Sequence, residues 1–128
     1  IKRVLKPGGR LVIVDEITRD ENVNDWYHTL EITRDPTHLR AYYVDEWKAF
    51  IKDASFTWIL GDTDTVYQLD IESWIGRMKP SSEQAENVRQ LFRNASSEAQ
   101  KIFNIVYEGN NAVTFDMPML VVLIVKLA

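Results

Sequence analysis

The order of apolar and polar residues predicts strands and an amphipathic helix along the chain. Leu11–Val14 is an unbroken apolar run closed by two carboxylates, which is typical of a parallel strand covered on both faces. Residues 44–54 place apolar side chains at three- and four-residue steps, which predicts a helix with one apolar face. Three further runs are rich in β-branched, aliphatic and aromatic residues and predict strands: residues 56–60, 113–115 and 119–127.

The polar segments between these runs predict turns and shorter helices. A surface loop is expected over residues 18–24, followed by a short helix over residues 25–32. In the second half of the chain, an insert of helices is expected, whose last part is two helices or one helix kinked near Ser96. It should end at Gly109, because glycine commonly terminates helices. Three residues are placed to cap the helices of this insert: Asp70, Ser81 and Ser97.

The first nine residues predict the tail of a helix and a tight turn. Proline cannot continue a helix, and the two glycines of Lys6–Gly9 supply the backbone conformations of a sharp reversal. Because a helix that ends here must begin earlier, we expect the chain to be a fragment of a longer protein. The order strand, helix, strand, helical insert, strand indicates an α/β fold in a single domain, residues 1–128.

Composition narrows the class of partner. The formal net charge is −4, so broad attraction to nucleic acid or to an anionic membrane is not expected. The chain has no cysteine, which excludes disulfides and agrees with a reducing, cytoplasmic location. The most apolar run, residues 117–125, is far shorter than the ~20 residues of a membrane helix, so no membrane span is predicted.

The sequence contains no common catalytic or metal-binding motif. His28 and Glu31 are three residues apart and can share a helix face, but the His-Glu-x-x-His pattern is missing and no metal site is expected. No Gly-x-Ser-x-Gly nucleophile turn is present. Gly8 and Gly9 precede a strand instead of a helix, so they do not form a phosphate-binding loop.

One candidate site lies at the end of the first strand. Asp15 and Glu16 follow the apolar run, and ligands of open α/β sheets bind beyond the carboxyl ends of the strands. The alternative is that these two residues are the first solvated positions after a strand.

A second candidate site is the segment RDPTHLR, residues 34–40, which lies near several aromatic residues. Aromatic rings beside histidine, aspartate and arginine suit a pocket for a small polar-aromatic substrate, with His38 available for proton transfer. The alternative is a structural turn in which Asp35 pairs with an arginine and the aromatic rings seal the core.

Several segments resemble class I S-adenosylmethionine-dependent methyltransferases. LKPGGRLVIVD is similar to the loop and fifth strand of their seven-stranded sheet. TRDPTHLRAYYVDEWKAFIKDASF resembles the Asp-Pro-Ser/Thr-His segment and following helix of small-molecule members of the ubiquinone/menaquinone-biosynthesis type. DIESWIGRM and MPMLVVLIVKLA also match in order and spacing, so the resemblance covers nearly the whole chain. It departs at Ser55, where the family usually has glycine.

The resemblance implies the C-terminal half of a Rossmann-like sheet. Strand five corresponds to residues 11–14, strand six begins at residue 56, and strand seven, residues 119–127, lies antiparallel between them. A helical insert separates the last two strands. The N-terminal half with its glycine-rich loop is absent, so S-adenosylmethionine is expected in the full-length parent and no residue here is assigned to bind it.

The resemblance also implies a substrate pocket beside strand five and the helical insert. His38 is the candidate base or orienting residue. The candidate residues of the pocket wall are Asp15, Glu16, Trp26, Tyr27, Arg34, Asp35 and Arg40. Because strand five lacks its usual neighbour, its apolar edge, residues 10–15, is expected to form a homodimer or to aggregate.

We therefore expect the substrate-side half of a small-molecule methyltransferase, inactive as an isolated fragment. Two alternatives stay open. One is a stand-alone interaction module that has lost catalysis. The other is a ligand-binding domain that uses the RDPTH segment without a methyl donor.

Overall fold

A computed structural model describes all 128 residues, which form two compact units. The first, here called the sheet unit, comprises Ile1–Arg19, Tyr42–Thr65 and Pro118–Ala128. The second, here called the helical unit, comprises Asp20–Ala41 and Val66–Met117. No helix is both long enough and apolar enough to cross a membrane.

Five strands and five helices make up the two units. The strands are β1 (Arg10–Glu16), β2 (Phe56–Asp62), β3 (Val66–Asp70), β4 (Val106–Glu108) and β5 (Asn111–Lys126). The helices are α1 (Glu21–Arg34), α2 (Val44–Asp53), α3 (Ile71–Gly76), α4 (Ser82–Arg93) and α5 (Ser97–Ile102).

The sheet unit is built around the carboxyl-terminal part of β5. This strand lies between β1 and β2 and pairs antiparallel with both. Val12 lies opposite Leu123, and Trp58 lies opposite Ile124. The predicted mixed α/β fold, with the last strand inserted antiparallel between two earlier ones, is confirmed.

The prediction that β1 is covered on both faces is wrong for this chain. Alternate residues, Leu11 and Ile13, pack against the buried cluster of the sheet unit. The residues between them, Val12 and Val14, are 58% and 60% exposed. The apolar run correctly predicted a strand, but such a run does not indicate whether both faces of the strand are packed.

The turn at the start of the chain is confirmed, whereas the helical tail before it is not. Residues 2–5 form hydrogen-bonded turns without a helix. Gly8 has φ +76°, and the amide of Gly9 donates to the carbonyl of Lys6 at 2.8 Å, which closes the reversal. Lys126 fixes this turn to the sheet, because its backbone N–H donates to Gly9 and its carbonyl accepts from Gly8.

The first helix of the helical unit is longer than predicted. The expected loop over residues 18–24 is wrong, because the Asp20 carboxylate accepts the amide of Asn22 and the helix begins at Glu21. Val23 is buried and extends the apolar face of Tyr27 and Leu30 by one turn. A mostly polar first turn concealed this helix in the sequence.

The helices α4 and α5 each begin directly after a serine that caps the helix. The Ser81 hydroxyl accepts the amide of Gln84, as predicted for the start of α4. The cap of α5 is Ser96 instead of Ser97, since it is the Ser96 hydroxyl that accepts the amide of Ala99. Two separate helices form, and the second ends at Ile102.

Gly109 does not end a helix. It has φ +61° and lies in the turn that joins β4 to β5. The two predicted strands over residues 113–115 and 119–127 are one continuous strand of 16 residues. Pro118 interrupts no ladder bond to β4 or β1, because β4 pairs with residues 111–114 and β1 with residues 119–125.

Candidate functional site

A cavity of about 140 Å³ lies in the helical unit between α1 and the segment that follows it. Its lining combines the Tyr27 ring with five groups able to carry charge: Asp25, His28, Glu31, His38 and Arg40. Three of the predicted site residues, Tyr27, His38 and Arg40, are therefore brought together here.

Helix geometry explains the α1 side of the cavity. Glu31 follows Tyr27 by four residues and His28 by three, so its side chain lies beside both on the helix surface. Tyr27 is 1% exposed, and its ring packs 4.9 Å from that of Phe103. Glu31 is 2% exposed, although it carries a carboxylate.

A hydrogen-bonded turn holds His38 beside this helix face. The amide of Asp35 donates to the carbonyl of Glu31 at 2.8 Å, which ends α1. The Asp35 carboxylate accepts the backbone amide and the hydroxyl of Thr37, at 2.9 and 2.7 Å. The Asp35 carbonyl then accepts the amide of His38 at 3.0 Å. The backbone of His38 is thus tied to the end of α1.

The same turn controls the protonation of Asp35. The Thr37 hydroxyl, and then the Thr37 amide, lower the pKa of Asp35 below its ordinary value of 3.8, with smaller contributions from Arg34 and His38. Because the folded pKa is lowered, the stabilisation is present above the ordinary pKa. It is lost as the pH falls through the lowered value.

Two polar groups of the cavity were not assigned to a site from the sequence. A carboxylate oxygen of Glu31 lies within 4.8 Å of a ring nitrogen of His38. The Nδ1 atom of His28 is buried and has no hydrogen-bond partner. The sequence contained one usable signal, since Glu31 occupies a position that the spacing of the apolar α1 residues would give to a buried side chain.

Other predicted site residues take part in the packing of the helical unit. The Trp26 indole lies against Phe92 and Phe103 and donates to the carbonyl of Leu91 at 3.2 Å. The Arg34 guanidinium donates to the carbonyl of Trp74 at 2.9 Å and lies 4.3 Å above its ring. Neither residue lines the cavity.

Asp15 and Glu16 belong to the sheet unit. Asp15 is exposed and its carboxylate accepts the amide of Glu16 at 2.8 Å, while Glu16 is half-buried. A polar cleft of about 260 Å³ lies farther along this unit, lined in part by Asp45 and Asp64. Arg19 borders it and donates to the carbonyls of Thr63 and Thr65, so the guanidinium acts as a brace for that loop.

Comparison of the sequence with known proteins identifies related bacterial proteins. No protein-family model matches the chain. The uncharacterized protein YafE of Escherichia coli is 33% identical over 110 residues, which is 85% of this chain and 53% of YafE. The uncharacterized methyltransferase YcgJ of Bacillus subtilis is 28% identical over 113 residues, covering 86% of this chain and 44% of YcgJ. The chain spans about half the length of the curated relatives it matches.

Solved structures of two bacterial proteins share the fold of this chain. A candidate methyltransferase from Bacillus halodurans superposes with a TM-score of 0.87 and 24% identity, over 99% of this chain and 60% of that one. The chain has the fold of a methyltransferase domain over part of that domain. YcgJ itself superposes with a TM-score of 0.82, over 99% of this chain and 55% of its own. The resemblance to methyltransferases that the sequence suggested is confirmed.

The turn that holds His38 yields a testable pH effect. In Thr37→Val the hydroxyl is lost, so we expect the pKa of Asp35 to rise toward 3.8 and the turn to lose order at a higher pH than in the wild type. Carbon NMR of the Asp35 carboxyl gives the titration, and amide exchange at His38 reports on the turn. Thr33→Val, which removes a hydroxyl bonded within α1, is the control. An unchanged Asp35 titration in Thr37→Val would contradict this account.

Proposed function

We propose that this chain is the substrate-side part of an S-adenosylmethionine-dependent small-molecule methyltransferase and has no methyltransferase activity by itself. The observation that carries the proposal is the superposition on the Bacillus halodurans protein, which covers 99% of this chain but only 60% of its counterpart. A methyltransferase fold therefore needs more chain than these residues supply. The coverage of YafE and YcgJ supports the same view.

The residues of the cavity do not fit the whole cofactor. Pockets for cofactor-sized ligands measure ~300–1,000 Å³, whereas this cavity has about 140 Å³, close to the ~150 Å³ of a cavity that holds a single benzene ring. S-adenosylmethionine, which supplies an electrophilic methyl group, is thus assigned to the remainder of the domain. The residues described here are assigned to the acceptor.

The chemistry of the cavity suits a small polar acceptor. Arg40 supplies a permanent positive charge and Tyr27 an aromatic wall. His38 can take a proton from a hydroxyl or amine of the acceptor and hold it at a ring nitrogen. That Asp15, Glu16 and Asp35 contact the substrate stays a prediction. The same holds for Trp26 and Arg34, whose side chains also pack the helical unit. The proposal includes a cytoplasmic location and no nucleic acid partner, in keeping with the net charge of −4.

The role of His38 can be tested in the longer protein that the proposal requires. Transfer of a labelled methyl group from S-adenosylmethionine to small molecules is measured for the wild type and for His38→Gln. Removal of a general base lowers turnover by about 10²–10⁴-fold, and we expect a loss in this range. Leu39→Ala, a change at an 80% exposed neighbour, is the matched control and should keep full turnover. If His38→Gln also keeps full turnover, His38 is not the base.

We also propose that this chain alone associates through β1. The strand pairs with β5 on one side only and ends the sheet order β1–β5–β2. No second strand pairs with residues 10–15, and Val12 and Val14 are exposed on one face of β1. An apolar edge strand with a free edge is a template for pairing with another strand. Two copies that pair along residues 10–15 would cover this edge in both.

Association through β1 predicts a concentration-dependent dimer. Light scattering of the 128-residue chain should give twice the monomer mass, and the double variant Val12→Lys, Val14→Lys should give a monomer. Leu39→Lys adds one lysine charge at an exposed residue that lies outside the sheet unit, so it should leave the dimer intact. A monodisperse wild-type monomer at high concentration would exclude this interface.

A further inference from the structure

The carboxylate of Glu31 is unusually placed for a residue with only a packing role. Glu31 is the one acidic or basic residue in the buried part of the molecule, where the only other polar side chain is that of Thr18. It lies on the same side of α1 as Val23, Tyr27 and Leu30, all of which are buried. The pattern of this helix would place an apolar residue at position 31.

Burial of a carboxylate lowers stability unless the protein provides a specific partner. Replacement of buried charged groups by apolar residues of similar volume is often neutral or stabilising. A buried carboxylate at a cavity is therefore a candidate for a functional role, in which a site is maintained at some cost to the fold.

The partner that the structure provides is His38. The Glu31 carboxylate lies within 4.8 Å of a ring nitrogen of His38, close enough for a hydrogen bond through one water. The backbones of the two residues are joined as well, because the Glu31 carbonyl accepts the amide of Asp35 and the Asp35 carbonyl accepts the amide of His38. The end of α1 and the turn that follows it therefore hold His38 near Glu31.

We propose that Glu31 is the positioning residue of His38. Its carboxylate accepts the proton of one ring nitrogen, which fixes the tautomer and orientation of the imidazole and leaves the other nitrogen unprotonated. His28, one turn earlier on α1, presents a buried Nδ1 without a hydrogen-bond partner to the same cavity and is available to a polar atom of the ligand. The use of the imidazole in methyl transfer rests on the proposed function, whereas the pairing of Glu31 with His38 does not.

The tautomer of His38 provides a direct test in the 128-residue chain. Long-range ¹H–¹⁵N spectra report which ring nitrogen carries the proton, and the chain has only two histidines. His28→Gln leaves one ring and so assigns the spectrum. We expect a single dominant tautomer for His38 in the wild type, and mixed tautomers in both Glu31→Gln and Glu31→Met. Glu21→Gln makes the same change at an exposed position of the same helix and should leave the ring signals unchanged.

A positioning role and a purely structural role make opposite predictions. If Glu31 positions His38, the His38 signals should change in Glu31→Met whether its unfolding temperature rises or falls, because the carboxylate that accepts the ring proton is lost. A fall in unfolding temperature with unaltered His38 tautomers would overturn the proposal. Unaltered tautomers in Glu31→Gln, which is nearly isosteric, would overturn it even if Glu31→Met did not fold.

The outcome is separable from that of the proposed function. Ring signals that respond to Glu31 in a longer protein without methyltransferase activity would retain the pairing and reject the reaction. Methyl transfer by a protein whose His38 ring signals do not change when Glu31 is replaced would retain the reaction and reject the pairing.

Discussion

The pairing of β5 is the constraint on which the rest of the structure depends. All four other strands pair with this single strand of 16 residues. Its buried residues supply Leu120, Val122 and Ile124 to the core of the sheet unit and Phe115 to the core of the helical unit. Because β5 is antiparallel to both β1 and β2, these two strands run in the same direction. Their carboxyl ends therefore lie at the same edge of the sheet.

The cavity depends on local structure more than on the sheet. One face of α1 supplies Tyr27, His28 and Glu31, and a short turn after the helix returns His38 to that face. The aromatic side chains of Trp26 and Phe92, and the Arg34 guanidinium above Trp74, pack the helical unit to which α1 belongs. A polar site on a packed helix is positioned more accurately than one on a loop alone, which favours the assignment of chemistry to this face.

Local signals in the sequence predicted well those features that are decided locally. Asp70 and Ser81 cap their helices as expected, and the segment after Asp35 forms the expected turn. Features decided by distant contacts were not predictable in this way. The exposed face of β1, for example, depends on which elements cover it. Two local signals were also misread, since Gly109 turns the hairpin between β4 and β5, and Ser96 instead of Ser97 caps α5. His38 and Arg40 were found at the site because their segment is distinctive. Glu31 was not assigned to a site because the spacing of α1 predicts only that position 31 faces the core, and a glutamate there does not by itself indicate a site.

The central claim is that this chain carries the acceptor side of a methyltransferase domain without its cofactor site. Calorimetric titration of S-adenosylhomocysteine into the 128-residue chain tests it most directly. The account predicts no heat of binding, because it assigns the cofactor to the remainder of the domain, and the cavity beside His38 is too small for the nucleoside and amino acid portions together. Binding with a dissociation constant in the micromolar range would contradict it, since a cofactor site would then exist among the residues described here.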